Sequence, residues 1–144
     1  MLIDKIKEDR NKFRFEKNSI KENILKLIES ESSKLNKNPS DNEVFKVLNS
    51  IYQSNSETIE LIKDNKDRVD ETIKLVIEND LINSYFPNKI ETVVNSINFQ
   101  LIELGKEKED LQKDKKSLGV IMKSLNQNFG EGFNRLQMKK FLGI

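Results

Sequence analysis

The sequence contains no cysteine, histidine, tryptophan or alanine, and only two prolines and five glycines in 144 residues. Without cysteine there is no disulfide framework and no thiolate to act as nucleophile or ligand, which fits a reducing compartment. Without histidine the chain lacks the side chain that ordinarily titrates near neutrality and the commonest metal ligand. Long apolar runs are also missing. Leu75-Val76-Ile77 and Val120-Ile121-Met122 are among the longest, far short of the roughly 18 residues a membrane helix requires. The opening Met1-Leu2-Ile3-Asp4-Lys5 turns polar at its fourth residue, unlike a secretory signal, so the expectation is a cytoplasmic protein with no membrane partner. Strand-type alternation and tight hairpin turns are scarce.

Charged residues are plentiful at 34%, and the net charge is only +1, so no global field draws the chain to nucleic acid or membrane. Leu, Ile, Val and Phe together make up about a third of the sequence, well above the roughly 20% below which chains stay disordered. The apolar residues recur at helical spacing, which predicts an all-α fold. One segment spans Leu2 to about Glu16, with Leu2, Ile3, Ile6 and Phe13 apolar. A second runs from about Asn18 to Lys34, with Ile20, Ile24, Leu27 and Ile28 on one face.

Pro39-Ser40-Asp41-Asn42-Glu43 reads as a helix start in which the Ser40 and Glu43 side chains bond each other's backbone amides. Val44, Val47, Leu48 and Ile51 follow as its inner face, continuing through Ile59 and Ile62. Lys63 to Arg68 is an exposed connection. The next helix is expected to bury Val69, Ile73, Val76, Ile77 and Leu81. It must end near Phe86, because Pro87 disfavours helical geometry in the residue before it and has no amide to donate. Tyr85 and Phe86 then anchor the core where the chain turns.

A smaller lobe follows. Ile90, Val94, Ile97, Leu101 and Leu104 mark its first helix, with Gly105 as C-cap. Lys106 to Lys116 reads as a solvated loop or a frayed extension. Ser117 is expected to cap a helix with Leu118, Ile121, Met122 and Leu125 inside. Gly130-Glu131-Gly132 is a turn, and Asn134 caps the last helix, with Gln137 at the capping-box position, Phe133 stapling onto Met138, and Phe141 and Leu142 completing the apolar face. The resulting expectation is two lobes: residues 1–87, an N-terminal bundle of about four helices, and residues 88–144, a three-helix C-terminal lobe.

Four stretches carry a resemblance: "MLIDKIKEDR", "PSDNEVFKVLNSI", "ENDLINSYFPNKI", and "SLGVIMKSL" followed by "FGEGFNRLQMKKFL". In this order and spacing the chain resembles the GatB/YqeY family: YqeY-like proteins and the tail domain of the GatB subunit of glutamine-dependent tRNA amidotransferase. The resemblance implies an all-helical, two-lobe fold divided near Pro87. It also implies a tRNA-contacting appendage of the translation machinery, with amide transfer and ATP activation carried by other domains. The framework residues it picks out are Tyr85, Phe86, Pro87, Gly119, Met122 and Gly130. Three positions depart from the family pattern. Val120 follows Gly119 where the family usually has lysine, Phe133 stands where the family has aspartate, and Lys26 stands where arginine is common.

Charge distribution adds its own support. Between Leu111 and Ile144, Lys113, Lys115, Lys116, Lys123, Arg135, Lys139 and Lys140 face only Asp114 and Glu131, a balance of +5 against −4 for the rest. Phosphate contacts need such local positive charge, so these seven residues are the candidate nucleic-acid contacts. Phe129 and Phe133, beside the glycine turn, are candidates for base stacking.

The competing explanation is a solvated face, with Lys139 and Lys140 simply suiting the end of a helix dipole. No metal, cofactor or catalytic constellation is indicated. Asp64, Asp67, Asp70 and Glu71 lack the spacing of a calcium loop, and Gly130-Glu131-Gly132 lacks the Lys-Ser/Thr of a phosphate loop. Nothing marks Ser117, Lys123 or Tyr85 as activated. The leading expectation is a non-catalytic, tRNA-associated helical module whose partner is tRNA or a protein of the tRNA-charging machinery. The alternative is a protein-protein interaction adaptor, its partner in an apolar groove between the lobes, with no nucleic-acid contact. An enzyme built on a carboxylate or lysine is the third.

Overall fold

The computed structural model describes residues 1–144 and contains no strand. Seven helices follow in chain order: α1 Leu2–Phe15, α2 Ser19–Leu35, α3 Asp41–Ile62, α4 Val69–Ser84, α5 Ile90–Leu104, α6 Lys115–Phe129 and α7 Arg135–Leu142. Short 3₁₀ turns occupy Lys66–Arg68 and Lys108–Gln112. The chain divides into two compact units, Met1–Tyr85 and Phe86–Ile144.

In the first unit the most extensive pairings are α1 with α2 and α3 with α4. Ser40 starts α3 as its sequence predicts. Its hydroxyl accepts the Glu43 amide at 3.2 Å while the Glu43 carboxylate accepts the Ser40 amide at 3.0 Å. These two bonds satisfy donors that the first turn of any helix leaves over. Val44 and Leu48 are fully buried behind the cap.

Where α4 ends, Tyr85 and Phe86 are both buried. The Tyr85 hydroxyl donates to Asp9 Oδ2 at 2.6 Å, fastening the end of α4 to α1. Burial, and then that carboxylate, push the phenol far above its ordinary pKa, since both oppose a phenolate.

On α5 the core takes Val93 rather than Val94, and Leu104 is 38% exposed; the inner faces of α2 and α4 differ from the periodicity as well. On α2 the buried residues are Ile24, Leu25, Ile28 and Ser32, whereas Leu27 is 45% exposed. On α4 the difference is larger. Val69, Ile73 and Val76, expected inside, are 49%, 51% and 43% exposed. Glu78, Asn79 and Ile82 are buried instead.

The reason lies across the helix pair. Asn55 Nδ2 donates to Asn79 Oδ1 at 3.1 Å and to Glu78 Oε1 at 3.2 Å. Asn79 Nδ2 donates to Ser56 Oγ at 3.1 Å and to the Tyr52 carbonyl at 3.4 Å. A polar group inside costs little once it is fully bonded. The α3–α4 pair therefore closes on a hydrogen-bonded seam and leaves valine and isoleucine outward.

The second unit packs α5, α6 and α7 around Val93, Ile97, Leu101, Leu111, Ile121, Leu125, Phe133, Met138 and Leu142. Gly105 ends α5 in left-handed geometry at φ +64°, as its C-cap position predicts. Lys106 to Lys116 is not a loop throughout. A 3₁₀ turn places Leu111 in the core with no exposed surface, and one leucine in a charged run is enough to dock it. The cap of α6 is Asp114 rather than Ser117. Its carboxylate accepts the Ser117 amide at 3.1 Å and the Ser117 hydroxyl at 2.8 Å. Aspartate and serine are comparable caps, and the longer reach of the carboxylate lets it hold both Ser117 donors.

Candidate nucleic-acid interface

Helices α6 and α7 contain no acidic residue. The two acids of residues 111–144 lie at their N-terminal ends, and both are engaged. Asp114 holds Ser117 and forms an ion pair with Lys106 at 3.3 Å. The Ser117 bonds, first from its amide and then from its hydroxyl, hold the Asp114 carboxyl below its usual range, with Lys106 adding to the effect. Glu131 bonds Arg135 at 2.9 Å.

Arg135 is one of the seven candidate contacts, and its guanidinium is spoken for. Nε donates to Glu131, and Nη2 donates to Asn126 Oδ1 at 3.0 Å and to the Gly130 carbonyl at 3.3 Å. Its Cζ lies 4.9 Å from the centroid of the Phe133 ring. These bonds tie the last turn of α6 to the start of α7 across the glycine turn. Gly130 there adopts φ +56° and ψ −129°, geometry that residues with a side chain rarely enter. Gly132 is buried, and a Cβ on it would lie 3.0 Å from Pro87. The Gly132 carbonyl accepts the Asn88 amide at 3.1 Å. Pro87 thus packs on the turn that Arg135 braces.

The remaining candidates, Lys113, Lys115, Lys116, Lys123, Lys139 and Lys140, are all exposed. None makes an ion pair with an acidic side chain. Lys116 and Lys123 stand seven residues apart on α6, so they share the face opposite the buried Ile121 and Leu125. Lys139 and Lys140 follow the buried Met138 on α7 and are exposed. The unit is polarised: residues 86–110 carry five acids and three bases, while α6 and α7 carry only bases.

The aromatic candidates do not serve as a stacking platform. Phe133 has no exposed surface. It meets Phe129 edge-on at 6.3 Å between centroids, and Phe129 packs against the same core. Position 133 thus carries a core side chain, and Asn134 supplies the cap by accepting the Gln137 amide at 3.1 Å. The exposed aromatic of this unit is Phe99 on α5, 62% accessible. It lies out of phase with the buried stripe, and that phase was its only signal in the sequence.

Among the remaining expected framework residues, Met122 packs against the core while half-buried. At Gly119 a Cβ would project into open space, with nothing beyond its own helix within 4 Å. In the first unit, Glu71 of the acidic cluster is held by Arg68 through two bonds of 2.9 Å. No three acidic side chains converge as a metal site, and no helix is long and apolar enough to cross a membrane. An open groove of about 520 Å³ runs between α2 and α3, lined by Leu27, Leu35, Val47 and Ile51 with Glu31 and Lys46.

No protein-family model, curated protein or solved structure matches this chain.

Proposed function

We propose that the protein is a non-catalytic helical module of the GatB/YqeY kind that associates with tRNA through its C-terminal unit. One observation carries the reading: six exposed lysines of residues 111–144 have no acidic partner, while both acids of that segment are engaged elsewhere. Positive charge left uncompensated on one part of a nearly neutral chain suits a polyanion. The all-helical architecture and the Tyr85-Phe86-Pro87 break agree with the family resemblance.

The test is retardation of tRNA at about 50 mM salt, where phosphate contacts are strong. Replacing Lys123, Lys139 and Lys140 by Ala weakens retardation on this reading. Absence of any retardation by the unmodified chain rejects it.

A second reading is favoured by the α2–α3 groove, whose exposed leucines suit a protein partner more than a polyanion. As an adaptor the chain would capture one protein from lysate with little salt dependence, and Leu27→Glu would abolish the capture.

A further inference from the structure

Gly119 is the glycine that the fold does not explain. Gly105, Gly130 and Gly143 have positive φ, and Gly132 lies under Pro87. Gly119 sits within α6 in ordinary helical geometry, exposed, with open space where a side chain would project. Glycine weakens a helix interior, because it loses more backbone freedom on folding than any other residue. Nothing inside the molecule calls for it. By helical spacing it shares the outward face of α6 with Lys116, Val120 and Lys123. That face has no acidic residue, and its two lysines are about 10.5 Å apart along the axis at 1.5 Å per residue.

We infer that this face is where the phosphate backbone of RNA lies against the protein, with Gly119 as the point of closest approach. The inference rests on the RNA reading above and narrows it to one helix face. Lys116 and Lys123 neutralise phosphates on either side of a strip bare of side chain. The missing Cβ lets the sugar-phosphate chain reach the helix surface, the use to which glycine is put wherever a ligand approaches backbone. The occupant follows from charge: the face is purely cationic, its apolar content is Val120, and it offers no groove for a peptide.

The experiment is a graded series in the full chain, Gly119→Ala and Gly119→Leu, with tRNA as probe. Both residues are strong helix formers, so both variants raise the melting temperature by several degrees. If the backbone of RNA lies on Gly119, both also weaken tRNA binding, Leu by about tenfold or more and Ala by less, a change set by steric bulk. Lys116→Ala with Lys123→Ala lowers the slope of log affinity against log salt by about two.

Stabilised variants that bind tRNA as tightly as the unmodified chain overturn the inference while leaving the RNA reading in place. An unmodified chain that fails to bind tRNA removes both. Phosphatidylserine vesicles serve as the control polyanion. Tighter binding to them, with the same sensitivity at Gly119, reassigns the face to lipid and also overturns the inference.

Discussion

Arg135 gives the sharpest separation between a residue that builds the C-terminal unit and the lysines proposed to contact RNA. Its guanidinium bonds Glu131, Asn126 and the Gly130 carbonyl, and the Arg135 and Glu131 side chains are 25% and 26% exposed. A hydrogen bond to a charged group is worth about 1.5–3 kcal/mol. Three bonds from one guanidinium do not add independently, and partial exposure weakens them, so Arg135→Ala should cost about 2 kcal/mol. For a unit this small, that lowers its melting temperature by roughly 10 °C.

Arg135→Lys keeps the charge but loses the planar fork, and should cost nearly as much. The lysine variants should behave in the opposite way. Replacing Lys123, Lys139 and Lys140 by Ala should leave stability within about 0.5 kcal/mol. It should flatten the salt slope of tRNA binding by about one per lysine. Six lysines in contact would cost about a thousandfold in affinity between 50 and 200 mM salt. Calorimetry and a salt titration on each variant check both halves. The reasoning fails if Arg135→Ala leaves the melting temperature unchanged, or if Arg135→Lys restores RNA binding lost in Arg135→Ala at equal stability.

Leu111→Ala should destabilise the protein by about 2–5 kcal/mol, measurable in urea, because it opens a cavity in the second core; a charged loop would tolerate the change. Replacing Asn79 alone by Ala strands the Asn55 and Ser56 groups that bond it and should cost about 2 kcal/mol. Asn55→Leu with Asn79→Leu should cost more than that single change, because it also strands the buried Glu78 carboxylate that Asn55 bonds, and a smaller loss in the double variant would count against the seam as a closed network. At alkaline pH the sign is fixed by the raised pKa of Tyr85. Its contribution is full below about pH 10, the ordinary tyrosine value, and fades as pH rises above it, because the unfolded phenol ionises first. Tyr85→Phe should be less stable than the unmodified protein at pH 8, and the gap should narrow by pH 11.

Helix starts and stops were legible because their causes are local. Ser40 and Glu43 need only each other, Pro87 acts on its neighbour, and Gly105 ends α5 by its own freedom in φ. The basic bias of residues 111–144 was equally legible, since charge is a sum over composition. Burial was less so. The inward turn of α4 depends on Asn55, Ser56 and Tyr52, more than twenty residues away, and periodicity scores apolar residues as buried whatever the opposite helix offers. Leu111 was hidden for the converse reason: a single apolar residue among charges has no period to reveal it.

By itself, the sequence determined an all-helical chain, the ends of most helices, and where positive charge accumulates, because each follows from neighbours within a turn or two. Only the tertiary structure decided that Arg135 belongs to the glycine turn, that six lysines remain without an acidic partner, and that a side chain at Gly119 would meet open space. Pairing and enclosure are relations between distant residues, and no window along the chain contains them.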